Sequence, residues 1–236
     1  AEFFSRNTCT IQAEQTLVFR LWREIPAAES SVRKLQWRDN TTLRGVCGTN
    51  TFRSFRCSVE GALIVEDVPA TASANADIPD PSNLQAMGTF PPELYLPHRQ
   101  GRQYLATPSC CAPWVNGQWL IGTHDGMLAR VDLAQGKVFS LGAVYADGPI
   151  HQIVSNAEHS IAYGVAGDAS DLGTCFCYDD ENGIRDLGRT YTFEGRPEGL
   201  SNSCQPCCLA LSPDGTKLAI GAADRLGAVY VYCNLK

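Results

Sequence analysis

Leu211-Ser212-Pro213-Asp214-Gly215-Thr216-Lys217-Leu218-Ala219-Ile220-Gly221 sets a turn between two apolar runs. Pro213 presets its own φ, Asp214 can bond backbone two residues on, and Gly215 tolerates a positive φ, so the three together mark a reversal. Cys207-Cys208-Leu209-Ala210-Leu211-Ser212 precedes the turn, and Lys217–Gly221 and then Gly227-Ala228-Val229-Tyr230-Val231-Tyr232 follow it. Short apolar runs bounded by turn residues read as strands. This copy therefore shows three strands and stops without a fourth.

Working back along the chain, the pattern recurs twice. One copy starts near Cys111 with Ala112-Pro113-Trp114-Val115, turns at Asn116-Gly117, and continues as Gln118-Trp119-Leu120-Ile121-Gly122. A loop at Thr123-His124-Asp125-Gly126 leads to Met127–Asp132, and Gln135-Gly136 turns into Lys137–Gly142. The next copy runs through His151-Gln152-Ile153-Val154, Ser160–Gly164, Gly173–Asp179 and Ile184–Gly188, with its own Asn-Gly turn at Asn182-Gly183. Asp132 and Asp179 are 47 positions apart, as are Gly136 and Gly183. Landmarks held in step over such a period indicate a repeated supersecondary unit.

These segments resemble blades of the β-propeller superfamily in the broad WD40, YVTN and kelch-like sense, with 211–221 the most characteristic piece. The resemblance covers the C-terminal half; a Trp-Asp dipeptide and kelch double glycines are absent, so it assigns no subfamily. It implies an all-β fold of four-stranded antiparallel blades. The count allows four or five blades, or part of a larger propeller. An N-terminal strand, Gln15–Trp22, is the expected donor to the blade that lacks its fourth strand, which would remove an exposed edge.

Three segments follow from this reading: a β-rich stretch over 1–68, a Pro/Ala/Asp-rich loop or linker over 69–106, and three blades over 107–236. In the first, Val32–Trp37, Leu43–Cys47 and Ala62–Val65 read as strands, from degenerate blades or a separate β-unit. Within the second, Ser82–Ala86 allows a short helix. Arginines alternate with apolar residues at Arg20-Leu21-Trp22-Arg23 and Arg53-Ser54-Phe55-Arg56, the pattern of a solvated strand face, with an anion-binding surface the sharper alternative.

Composition narrows the function classes. Of 236 residues, 44 % are apolar and 19 % charged, as expected for a folded domain, and the net charge of -6 offers no basic footprint for nucleic acid. No apolar run approaches the ~20 residues of a membrane helix. The eleven cysteines, an odd number, do not suit a fully paired disulfide framework. They read as core thiols in a reducing, cytoplasmic setting, although a signal peptide removed before residue 1 is compatible with the sequence. Cys110-Cys111 and Cys204-x-x-Cys207 carry a minority redox reading.

Antiparallel blades send the loops between second and third strands, and the connections between blades, to one face. His124 and Asp125, Asp168, and Asp224 with Arg225 fall in the loops; Asp147 and His151 fall in the connections. Those seven residues form the candidate ligand-binding face, because loops on a rigid scaffold are where sites concentrate. No metal motif and no cofactor are evident, and no catalytic residue is assigned. The expected function is a propeller binding module for a small polar ligand or a protein partner. The alternative is a propeller lyase, hydrolase or lactonase acting on a carbohydrate or related polar substrate. Self-association is expected if the propeller is incomplete.

Overall fold

The computed structural model describes residues 8–10, 18–26, 32–47, 51–57, 63–68, 94–100, 106–144, 148–167, 174–187, 206–222 and 228–233. The chain divides into two compact units, Ala1–Pro79 with Tyr191–Lys236, and Asp80–Thr190.

The second unit holds two sheets. In the first, β7 (Pro108–Pro113), β8 (Trp119–Thr123), β9 (Met127–Asp132) and β10 (Lys137–Ala143) pair in chain order, each antiparallel to its neighbour. The other repeats this order with β11 (Ile150–Asn156), β12 (Ile161–Ala166), β13 (Thr174–Asp179) and β14 (Gly183–Asp186). Both are propeller blades. Their strands match the repeat legible in the sequence, and Asn116 and Gly117 take the two positive φ angles, 57° and 72°, that a tight hairpin turn of this hand demands.

The 47-residue spacing has a physical origin. Asp132 Oδ1 accepts from Gln135 N, and Asp179 Oδ1 accepts from Glu181 N and Asn182 N. Each aspartate thus closes the turn before the fourth strand of its blade, and the glycine four residues on completes it at positive φ.

In the first unit, β3 (Val32–Trp37), β4 (Thr42–Cys47), β5 (Thr51–Cys57) and β6 (Leu63–Val68) form a third meander of the same kind. The Arg53–Arg56 alternation lies on β5. The remaining sheet has the order β1-β2-β17-β16-β15, built from β15 (Pro206–Leu211), β16 (Lys217–Ala222) and β17 (Ala228–Cys233) with β2 (Val18–Pro26) and β1 (Thr8–Thr10). β2 pairs antiparallel with β17, Val231 opposite Arg23, and so supplies the strand the third copy lacks. β1, which the sequence reading did not anticipate, adds a fifth strand outside β2. The segment Ser82–Ala86 lies outside the described residues.

Both faces of β7, β8 and β9 carry buried residues, so these strands read as apolar runs with no clean alternation, while β10 is largely exposed. Leu120 and Leu128 point with Cys110 and Ala112 toward Ile150, Ile153, Ala162 and Phe176 of the next blade. Ile121, Ala129, Val131 and Cys111 take the opposite face, where Leu96 packs on them. Burying one such Leu or Ile contributes ~1.5–3 kcal/mol, so blade-on-blade stacking dominates the local stability. In the first unit Val32, Leu35, Trp37 and Leu43 meet Cys208, Ala210, Ala219, Val229 and Val231 in the same way.

The two units use one junction design. The first strand of every blade carries a register shift that leaves one residue out of the ladder: Arg33, Ser109, His151 and Cys207. Such a bulge redirects a side chain near a strand end. In the second unit Ser109 Oγ donates to Ile150 O at 2.6 Å and Cys110 Sγ to the same oxygen at 3.2 Å. In the first unit Cys207 Sγ and Cys208 Sγ both donate to Val32 O, at 2.5 and 3.5 Å. Gly122 and Gly221 lie opposite Cys110 and Cys208. A Cβ on Gly122 would come within 2.7 Å of Ile150 Cβ, and one on Gly221 within 2.9 Å of Val32 Cγ1. Glycine at that position is what lets consecutive blades approach.

Candidate functional site

The β8–β9 turn is the best-defined part of the candidate face. Gly126 N donates to Thr123 O at 3.2 Å, and the buried Thr123 Oγ1 accepts from Met127 N at 2.9 Å and donates to Asp125 Oδ1 at 2.5 Å. Ser212-Pro213-Asp214-Gly215 builds a related turn, one residue longer, between β15 and β16. There Gly215 N bonds Ser212 O, Ser212 Oγ donates to Asp214 Oδ1, and Lys217 N donates to Ser212 Oγ. The hydroxyl-x-Asp-Gly pattern is therefore a turn device used at either end of a blade.

Asp125 does more than close its turn. Its second oxygen, Oδ2, accepts from Arg99 N at 2.6 Å and lies 3.4 Å from His98 Nδ1. Burial works to raise its carboxyl, but the Arg99 N–H, the Thr123 hydroxyl and the His98 ring outweigh it and hold Asp125 below the usual carboxylate value. Residues 94–100 are thereby pinned at both ends of a short strap: Leu96 enters the apolar face of the blade, and the His98-Arg99 step is tied to Asp125. Sequence reasoning placed this stretch in a loop or linker. The contact spans 26 positions, a separation that local turn and strand patterns do not reach.

His151 is the bulged residue of β11. Its Nε2 lies 2.8 Å from Gly167 O, and because a carbonyl only accepts, Nε2 carries the proton of that bond. The bond ties the start of β11 to the loop that follows β12. Gly167 N in turn donates to Pro149 O at 3.1 Å.

The turn and His151 occupy the same end of the second unit. Pro108, at the start of β7, pairs with Thr123, and Ile150, at the start of β11, pairs with Ala166, while Ser109 joins the two starts through Ile150 O. Val144 N donates to Gly126 O at 2.8 Å, drawing the blade-to-blade connection to the same turn. His124 and His151 are exposed there and Asp125 is half-buried. Of the seven candidate residues, Asp147, Asp168, Asp224 and Arg225 lie outside the described residues.

Cys110, Cys111, Cys175, Cys177, Cys207 and Cys208 are free thiols set in the sheets. Burial pushes the Cys110 thiol up to about 12 and the Cys177 thiol up to about 11, values at which neither is a nucleophile near neutrality. Cys110 and Cys111 pack into different apolar clusters on opposite faces of β7, so strand alternation separates them and they do not form a redox pair. Cys204 lies outside the described residues. Among the described residues no group of three or more His, Cys, Asp or Glu is placed to hold a metal ion. No described helix is long and apolar enough to cross a membrane.

No protein-family model matches the chain, and no curated protein matches it. Solved structures with a similar course include the WD40 β-propeller domain of Doa1, at 12 % identity and TM-score 0.33, covering 92 % of this chain and 56 % of that one. A chain of the mitotic checkpoint complex gives 12 % identity and TM-score 0.34, over 85 % of this chain and 49 % of that one. The tricorn protease gives 12 % and 0.34, over 81 % of this chain and 15 % of that one. The chain thus spans between about a seventh and just over half of these proteins. Overlap at that level leaves the fold to be read from the sheets themselves, which are propeller blades by strand order, pairing and repeat.

Proposed function

We propose that the chain is a binding module that takes a small polar ligand or a protein partner at the end of the blades where the β8–β9 turn and the start of β11 come together. The observation that supports this reading is how the carboxylates are used. Asp125, Asp132, Asp179 and Asp214 each hold backbone N–H or hydroxyl groups of a turn. Of these, Asp125 is the one at the proposed end, where its bonds hold the turn that carries the exposed His124, while the exposed His151 is tied by its own ring to Gly167 O. A preorganised surface with polar groups at its rim is what recognition requires, since little entropy is lost on binding.

A thermal-shift panel of sugars, uronic acids, nucleotides and divalent cations tests the small-ligand arm. A ligand at one hundred times its dissociation constant stabilises the native state by about 2.7 kcal/mol, a readable shift. His124→Ala is expected to abolish that shift while leaving the ligand-free melt near wild type, and His151→Ala to abolish it with a lower ligand-free midpoint, since its bond to Gly167 O is lost. A shift that survives both substitutions places the ligand elsewhere and ends this reading. If the panel is silent, a purified partner protein should lose affinity through the same two substitutions; unaltered affinity rejects the face.

A further inference from the structure

The pair of bulge side chains at the first unit's junction differs from its counterpart in one atom. Where the second unit has Ser109 beside Cys110, the first has Cys207 beside Cys208, and the bulge directs both side chains of each pair at one carbonyl oxygen. Adjacent residues on a regular strand point to opposite faces. Here the shared acceptor, Val32 O, keeps the two sulfurs neighbours on one face. Cys207 Sγ also lies 3.5 Å from Gly221 O. Cys208 is fully buried, and Cys207 is half-buried against the same apolar cluster, which makes it the more accessible residue of the pair.

We propose that Cys207 and Cys208 form a two-thiol site for a soft, thiophilic ion of low coordination number, such as monovalent copper or trivalent arsenic. Thiolate sulfur selects such ions over the harder cations that carboxylates prefer. Cys207 meets the incoming ion and Cys208 closes the chelate. The junction itself does not require two sulfurs: at the matching position Ser109 makes the same bond to the next blade with a hydroxyl. With a monosubstituted arsenical the step is an exchange without redox change. Two As–OH bonds break and two As–S bonds form. The two thiol protons leave with the hydroxyl groups as water, and arsenic stays trivalent.

Phenylarsonous acid is the probe, and its stoichiometry on the intact chain is read by native mass spectrometry. Cys207→Ser puts the hydroxyl of the other junction in place, so the fold is expected to persist. That variant is expected to lose one bound arsenical relative to wild type, or to bind it about 10²-fold or more weakly, the advantage of a second ligand held at high effective concentration. Ser109→Cys builds the same pair at the other junction and is expected to gain one. Monovalent copper should compete for the wild-type site. Equal stoichiometry and affinity in wild type and Cys207→Ser overturn the proposal, as does a natively melting Ser109→Cys that gains nothing.

Discussion

Asp39 shows how much one carboxylate can do in a turn of four residues. Its Oδ1 accepts from Thr41 Oγ1 and Thr41 N, both at 2.7 Å, and from Thr42 N at 2.8 Å. The Thr41 hydroxyl and then its N–H are the chief reasons the carboxyl falls to about 2. A folded value below the unfolded one means the stabilisation is present above the unfolded carboxyl range, near 3.9, and is lost as pH falls through about 2. Asp39→Ala should therefore lower the melting midpoint at pH 7, and the gap to wild type should close toward pH 2. A gap independent of pH would show that charge plays no part in the turn. Glycines make the complementary point about space. Gly164 sits directly opposite Phe176, whose ring occupies the volume a Cβ would need, whereas nothing lies within 4 Å of a Cβ on Gly117. Gly164→Ala is expected to cost ~1–3 kcal/mol or more in chemical denaturation, through overpacking. Gly117→Ala should cost ~1–2 kcal/mol, from its positive φ alone.

At the scale of elements, the first strands carry the blade-to-blade stitching at both ends. Near the bulge the links run to Ile150 O and Val32 O. At the far end Ser155 Oγ donates to Pro113 O at 2.6 Å and Trp37 Nε1 donates to Ala210 O at 3.1 Å. Lys217 Nζ adds a bond to Asn40 O in the first unit. Trp37→Phe keeps most of the apolar volume but orphans a buried carbonyl, so a loss of ~1–3 kcal/mol is expected by denaturant titration. A neutral result would mean that water replaces the indole. β2 is the other decisive element. β17 pairs with it from Arg20 to Pro26 while β1 covers only Val18–Arg20, so Arg23→Pro, which puts a proline ring into the ladder opposite Val231, should lower the melting midpoint by several degrees. An unchanged midpoint would show that the β2–β17 pairing contributes little to stability.

Across the whole molecule, local and distant pairings coexist. Each meander closes through turns of a few residues, but β2 reaches β17 from the other end of the sequence. Loop closure on that scale costs entropy before any contact offsets it. In pulse-labelled refolding, amides of the β8–β9 hairpin should gain protection before those of β2 and β17. Simultaneous protection would show that the two units fold as one.

The sequence alone determined the blade, because a blade is specified by local chemistry. Asn116-Gly117, Asp132 with Gly136, Asp179 with Gly183, and Ser212-Pro213-Asp214-Gly215 each dictate a reversal through their own φ preferences and side-chain bonds, and the apolar runs between them have strand length. Completion by β2 was legible too, since a blade short of one strand leaves an edge that must be covered. The tertiary structure alone decided the rest. The strap at His98 and Arg99, the clasp of Asp125, the convergence of Ser109 and Cys110 on Ile150 O, and that of Cys207 and Cys208 on Val32 O join residues far apart in sequence. Such contacts depend on which faces two blades bring together, and that choice is made by the packing of buried side chains rather than by the propensities of any one segment.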